Sequence, residues 1–391
     1  MTTPEAIRST VADVDLDAIA ANLAAIKGRA NADVIAVVKA DAYGHGAEAV
    51  AEACFEAGAV MLAVATVEEG LALREGGING PILVFFGPTD ASEIGHAVAQ
   101  DLVLTVWDLG RARAVSEAAT ALRRTARVHF KVDTGLTRLG APMSEAATRY
   151  RAIRALPHLE IDGIFTHFAT SDEPDISNDR TQLARFREVL GTLDDRPRLI
   201  HAAASAGVAA FGPIDGVNAV RPGLAIYGLH TAPHLADKLE LRPALAWRSR
   251  IQRLADVVKG TGVSYGHEYR LPRDGRIATV PVGYGDGLPR VAGKNGGGVL
   301  VRGHRIPFAG RVCMDLVMLD VTEIGEAREG DDVVIIGTQS GVTQTADDLA
   351  SVCGTISYEI LTGIRRRVPR RYFRGGKLVA TRTLAEGYHA R

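Results

Sequence analysis

Three cysteines in 391 residues, Cys54, Cys313 and Cys353, are too few and too unevenly spaced for a disulfide framework or a thiolate metal site. Sparse thiols in odd number are expected of a reducing compartment. An excess of one charge is also missing. Lys and Arg total 45 against 46 Asp and Glu, a net charge of −1. Neither nucleic acid nor an anionic membrane is therefore expected as the main partner. The one dense basic block, RRRVPRR at 365–371, reads as a solvated face near the end of a domain. No apolar run is long enough to cross a membrane. The opening MTTPEAIRST lacks the apolar core of a secretion signal, and a cytoplasmic protein is expected. There is no low-complexity linker. No G-x-G-x-x-G follows the first strong apolar run, which counts against an open dinucleotide-binding sheet.

What is present is a rhythm. Over the first 230 or so residues, short apolar runs alternate with helical stretches. The runs are VIAVVK (34–39), MLAVA (61–65), ILVFF (82–86), LVLTV (102–106), RVHFKVD (127–133), IDGIFTH (161–167), RLIHAAAS (198–205) and VNAVRP (217–222). Between them, segments such as ARAVSEAATALRR repeat apolar residues at i+3 and i+4. Continuous apolar strands alternating with helices predict a parallel sheet buried on both faces. Eight such units predict a (β/α)8 barrel over residues 1–245, with a doubly wound open sheet as the alternative. After about residue 245 the rhythm changes to alternating strands and Gly-containing turns. Residues 246–391 are expected to form a mainly antiparallel β domain, with a helix near TADDLASVCG.

A barrel of this kind carries its active site at the carboxyl ends of its strands. Lys39 ends the first run. Lys131 and Asp133 lie on the fifth, which leads to Arg138. His167 ends the sixth, Ser205 the seventh and Arg221 the eighth. Taken alone, Lys39 could be the first solvated residue after its strand, and His167 a satisfied polar group. Five polar ends converging on one mouth are hard to explain as accident. A lysine whose pKa is lowered by neighbouring cations such as Arg138 and Arg221 can attack a carbonyl and form a Schiff base. Ser205 and the backbone N–H groups of Gly223 and Leu224 are suited to a phosphate. Pyridoxal phosphate has both the carbonyl and the phosphate. No metal is expected.

The residues that narrow this reading are AVVKADAYGHG around Lys39, KVDTGLTRLG (131–140), FTHFA (165–169), AAAS (202–205) and VRPGLAIYG (220–228). In the second domain they are GVSYGHEY (262–269), VPVGYGDG (280–287), GRVCMD (310–315) and GTISYEILTGI (354–364). Together they resemble the alanine racemases, pyridoxal phosphate enzymes of barrel type, over about residues 10 to 375. Many relatives have Met where this chain has Leu136, a swap of similar volume.

The resemblance implies roles. Lys39 would hold the cofactor and serve as one acid/base group, with Tyr265 as the other. Tyr43, Ser205, Gly223, Leu224 and Tyr358 would hold the phosphate. Arg221 would face the pyridine nitrogen with His167 behind it. Arg138 and the Met314 backbone would take the substrate carboxylate, and Tyr284 would stand near the entrance. Lys131 matches a lysine often carbamylated in the family; the plainer expectation is an ion pair with Asp133. Tyr265 and Met314 would come from a partner subunit, which implies a homodimer. The implied activity is interconversion of L- and D-alanine for cell-wall peptidoglycan. Racemases of the same fold acting on serine, lysine or a broader range are the nearest alternative. A related decarboxylase fits Tyr265 and GRVCMD poorly, and a non-catalytic pyridoxal phosphate carrier would resemble the barrel alone.

Overall fold

The computed structural model describes residues 8–385 and 387–390; residues 1–7, which hold most of the stretch read for a signal core, lie outside it. The chain divides into two compact units. One is Ala18–Ala42 with Ala47–Pro243; the other joins the N-terminal stretch up to Asp17, Tyr43–Gly46 and everything from Ala244 onward.

The first unit is the expected barrel. Its strands are β1 (Asp33–Val37), β2 (Met61–Val64), β3 (Ile82–Val84), β4 (Val103–Val106), β5 (Ala126–Asp133), β6 (Leu159–Phe165), β7 (Leu199–His201) and β8 (Ala219–Val220). Every neighbouring pair is parallel, and β8 pairs back onto β1, so the sheet closes. The central strands are buried along their whole length, Met61–Val64 and Val103–Val106 among them. That pattern follows from a sheet covered by helices outside and packed side chains inside. Several helices start where a side chain can satisfy their first free N–H groups: Thr66 with Glu69 in a reciprocal capping box, Asp90, and Asp108.

The second unit is built on a nine-stranded, mostly antiparallel sheet. Its helix Ala346–Cys353 lies where TADDLASVCG predicts it. The sheet recruits Val11–Asp15, a strand that the apolar-run reading does not mark. Val11–Asp15 pairs antiparallel with Leu245–Arg250 and parallel with Arg370–Arg374. A smaller antiparallel sheet joins Arg253–Val257, Gly275–Val280 and Val317–Asp320. Among the described residues, no helix is long and apolar enough to cross a membrane.

Packing inside the barrel leaves no spare volume beside β6. A Cβ at Gly163 would stand 2.6 Å from the ring of His129 on β5. We predict that Gly163→Ala lowers the urea midpoint by the equivalent of about 1–3 kcal/mol, the usual cost of overpacking a closed core. An unchanged midpoint would show that the His129 ring can move aside.

Candidate active site

Lys39 lies two residues beyond β1, at the start of a turn with an unusual backbone. Ala40, Asp41, Ala42 and Tyr43 all have positive φ, from 51° to 56°. Four successive non-glycine residues are thus left-handed, at a cost of about 1–2 kcal/mol each. Backbone strain of this kind persists where the surroundings over-determine it. The Asp41 carboxylate accepts from the Ala47 N–H at 3.0 Å. Glu69 accepts from the Ala40 N–H at 2.7 Å and, through its other oxygen, from the Ala65 N–H at 2.7 Å. The carboxylate therefore ties the lysine turn to the end of β2. Burial, then the charge of Arg138, lowers the Lys39 pKa from its ordinary value, and Glu69 acts against them.

The other strand ends converge on the same mouth. Lys131, His167, Ser205 and Arg221 all lie at the carboxyl side of their strands. The guanidinium of Arg221 is buried. It donates from Nη1 to His201 Nδ1 at 2.8 Å. From Nη2 it reaches the Thr166 carbonyl at 2.7 Å, the Ala202 carbonyl at 2.9 Å and His167 Nδ1 at 3.1 Å. The Nε–H has no acceptor among the described residues. His167 is held well below its ordinary pKa by burial and then by Arg221, with Arg138, Lys131 and Lys39 adding to the effect. A neutral imidazole is what an acceptor of an Arg221 hydrogen bond requires.

Lys131 does not make the plain ion pair. The Asp133 carboxylate instead accepts from the Gly135 and Thr137 N–H groups at 3.0 and 3.1 Å, shaping the loop that leads to Arg138. Lys131 stands over the Phe165 ring, its Nζ 5.4 Å from the centroid. Burial, then Arg221 and Arg138, brings its pKa down to about 8. Across the mouth, Ser205 Oγ accepts from the N–H groups of Gly223 and Ala225 at 2.9 and 3.1 Å. The Leu224 N–H bonds to no other described residue. Tyr227, in the same turn, donates to the Val37 carbonyl at the end of β1 at 2.9 Å, fixing that turn to the strand that delivers Lys39.

The remaining candidates belong to the second unit. The rings of Tyr43 and Tyr358 meet at 5.9 Å between centroids. Burial, then Tyr358, raises the Tyr43 pKa. Tyr265 sits in a turn where Ser264, Gly266 and His267 all have positive φ. Ser264 Oγ anchors that turn by donating to the Arg311 carbonyl at 2.7 Å. The next residues along reach Met314, whose carbonyl accepts from the Gly285 N–H at 2.8 Å, beside Tyr284. Tyr284 also borders a cavity of about 440 Å³ with Arg290, Cys353 and Arg365. In the single chain Tyr265 is 71% exposed and Met314 53%.

Comparison with known proteins bears on this arrangement. The alanine racemase N-terminal domain family matches residues 14–231, and the C-terminal domain family matches residues 244–372. The chain belongs to the alanine racemase family. The alanine racemase of Symbiobacterium thermophilum is 44% identical over 372 residues, 94% of this chain and 98% of that protein. The crystal structure of alanine racemase from Bacillus anthracis with bound L-Ala-P superposes with a TM-score of 0.90 at 37% identity, covering 98% of this chain and 99% of that one. A histidine racemase from Leuconostoc mesenteroides shares the architecture at 28% identity, with a TM-score of 0.87 over 95% of this chain and 100% of that one. The family's activity is that of an isomerase, and the relatives support racemisation of alanine here.

Four residues of this racemase barrel escaped the reading of strand ends: Glu69, His129, Asp162 and His201. Glu69 was signalled by the Thr66-x-x-Glu69 capping box. The other three are polar residues inside apolar strands. The left-handed turn had no signal, because Ala-Asp-Ala-Tyr contains no glycine. That turn gives a test. Ala40 is exposed, so its substitution touches little besides the backbone. Ala40→Gly should raise the melting temperature and Ala40→Val should lower it, each by about 1 kcal/mol in effect. The opposite order would mean that the turn is right-handed in solution.

Proposed function

We propose that the chain racemises alanine with pyridoxal phosphate held on Lys39, using Lys39 and Tyr265 as bases on opposite faces of the α-carbon. The observation that supports this best is electrostatic. Lys39, Lys131, Arg138 and Arg221 all bear on His167 in one barrel mouth, and none forms an ion pair with a carboxylate among the described residues. A mouth where two arginines and two lysines outweigh the nearby Glu69 and Asp133 carboxylates is suited to a ligand pair bearing a phosphate and a carboxylate.

The residues fit the group. Lys39 has a lowered pKa and its neutral amine is accessible to an aldehyde. The Leu224 N–H, with Gly223, Ser205, Tyr43 and Tyr358, would hold the phosphate. Arg221 would donate its free Nε–H to the ring nitrogen, with His167 behind it. When bound, pyridoxal phosphate supplies an aldehyde for the amino group and an electron-withdrawing ring that acidifies the α-carbon. Arg221 cannot give up its proton in practice. It would therefore donate to the ring nitrogen without protonating it, which would keep the electron sink weak and favour return of the proton to the α-carbon. Arg138 and the Met314 backbone would orient the substrate carboxylate, and Tyr284 would stand at the entrance.

One base cannot reach both faces of a carbon, so racemisation needs two. Tyr265 with Met314 would be presented to a second copy of the chain, making a homodimer with shared sites. The exposure of both residues, together with the 37% exposed Leu316 two positions after Met314, supports that reading. Supply of D-alanine for cell-wall peptidoglycan, in the cytoplasm, is the proposed role. Assayed on a panel of L-amino acids, the protein should yield D-alanine fastest. A faster D-serine or broad D-amino-acid yield would favour the related-racemase alternative.

Borohydride treatment of purified protein should fix the cofactor to Lys39 within residues 32–58. Tyr265→Ala should slow proton abstraction from L-alanine about a hundred- to ten-thousandfold while sparing D-alanine, on the family's assignment of Tyr265 to the L face. Mixing Lys39→Ala with Tyr265→Ala subunits should restore one site per heterodimer. Labelling of another lysine, or equal loss toward both enantiomers, would sink the two-base assignment. No recovery on mixing, with subunit exchange demonstrated, would place Tyr265 in its own chain's site.

We also propose that Lys131 is an N6-carboxylysine. A pKa near 8 leaves a sizeable neutral fraction at pH 7.5. The neutral amine adds to carbon dioxide, forming an N–C bond and releasing one proton, and the resulting carbamate would be held by the adjacent arginines. Protein equilibrated with 13C-bicarbonate should show one carbamate carbon resonance that Lys131→Ala abolishes. The signal should grow as pH rises through 8, because the neutral fraction of the amine rises there. Its absence at pH 8.5 would leave Lys131 unmodified.

A further inference from the structure

A line of polar side chains runs through the barrel below Arg221, and neither racemisation base belongs to it. His201 ends β7, His129 lies on β5 and Asp162 on β6. Both imidazoles are fully buried, and Asp162 is 5% exposed. Arg221 Nη1 meets His201 Nδ1 at 2.8 Å, and His201 Nε2 meets His129 Nδ1 at 2.8 Å. His129 Nε2 faces Asp162 Oδ2 at 3.6 Å. The carboxylate is gripped by Arg198 through Nε at 2.9 Å and Nη2 at 2.7 Å.

The direction of every proton in this line follows from its Arg221 end. A guanidinium only donates, so His201 Nδ1 must be a lone pair. The His201 proton is then on Nε2 and points at His129 Nδ1, which must also be a lone pair. The His129 proton is then on Nε2, the nitrogen that faces the Asp162 carboxylate at 3.6 Å, beyond hydrogen-bonding distance. One polarity fits both hydrogen bonds of the line. The reverse polarity would set a His201 N–H against an Arg221 N–H. Burial lowers the pKa of both imidazoles; at His129 the Asp162 carboxylate acts against it without overcoming it, and Arg221 adds to the lowering at each. Ring planes are held as well: Phe165 stacks on His201 at 4.7 Å with 8° between planes, and Gly163 leaves the space that the His129 ring fills.

We propose that Asp162 is a positioning residue for Arg221: its carboxylate charge, facing His129 Nε2, reinforces the Nε2–H tautomer of His129 and His201 and so the bare Nδ1 on which the guanidinium is oriented. The catalytic consequence rests on the reading that Arg221 faces the cofactor ring nitrogen; the tautomer chain rests on this protein's atoms alone. Asp162 sits three residues before the end of β6, roughly 10 Å along the strand from the mouth. It touches no reacting atom. Its effect on Arg221 reaches the site only through the two imidazoles.

Neutron diffraction of deuterium-exchanged crystals of the unmodified protein tests the chain directly. Deuterium is expected on Nε2 of both histidines and absent from both Nδ1 atoms. Deuterium on His201 Nδ1 would overturn the proposal. Asp162→Asn removes the carboxylate charge that faces His129 Nε2 and can set an amide donor there, which weakens the preference for this polarity. That variant should lose about tenfold in kcat for alanine, the loss typical of an outer hydrogen-bond partner, with KM little changed. It should also bind pyridoxal phosphate more weakly, and Asp162→Glu should recover most of both losses. Unchanged kcat and unchanged cofactor affinity in Asp162→Asn would also overturn it. If the unmodified protein takes up no pyridoxal phosphate, the cofactor reading fails, and the neutron map still decides the tautomers.

Discussion

The burial of the Arg221 guanidinium among neutral acceptors constrains the rest of the barrel mouth. A buried charge is costly unless its hydrogen-bonding groups are satisfied. Here two carbonyls and two imidazoles do that, and no carboxylate does. Both imidazoles must keep a lone pair toward it, which forbids their protonation. The uncompensated charge then spreads outward. Next after burial, it lowers the pKa of His167, His201 and Lys131, and with Lys39 and Arg138 it leaves a cationic mouth. A carboxylate beside Arg221 would have cancelled much of this. It would also have made the site less welcoming to anions.

A second buried arginine organises the other unit in the same way. Arg370 donates to the carbonyl of Gly44 from both Nε and Nη2, at 3.0 and 2.8 Å, and to the carbonyls of Ile364, Arg365 and Val368. Gly44 directly follows the left-handed turn after Lys39. Its own φ is +81°, and a Cβ there would lie 2.1 Å from the Leu361 carbonyl oxygen. Glycine is thus required at 44 by close approach as well as by backbone conformation. The lysine turn is held by Glu69 on its barrel side, and its sequel by Arg370. Two sets of charge-assisted hydrogen bonds to backbone hold a segment that carries several kcal/mol of left-handed strain.

The barrel was legible in the sequence because eight apolar runs alternate with helical stretches, and its mouth because polar residues cap five of those runs. Lys39, Lys131, His167, Ser205 and Arg221 come from that logic alone. Tyr265, Met314 and Tyr358 do not: they stand on loops or short helices of the β unit, where no periodicity marks function, and only resemblance pointed to them. Val11–Asp15 escaped because its partners, Leu245–Arg250 and Arg370–Arg374, are more than 200 residues away. His129, Asp162 and His201 escaped for a different reason. They lie inside strands, where a polar residue in an apolar word reads as noise until the closed barrel shows that all three point at one another.

The two groups assigned to proton transfer stand in unlike surroundings. Lys39 is half-buried, with its charge state set by burial and Arg138. Tyr265 is 71% exposed in the single chain, on a turn held by Ser264. A phenol in water is a poor base at neutral pH, because its unperturbed pKa lies near about 10. To work as one it must be desolvated next to positive charge. Beside its own turn, Arg311 is already paired with Glu268. On the two-base reading, the missing surroundings are the cationic mouth of another copy of the barrel. Dimerisation would then be part of the chemistry, because it would create the second base as well as bury an apolar face.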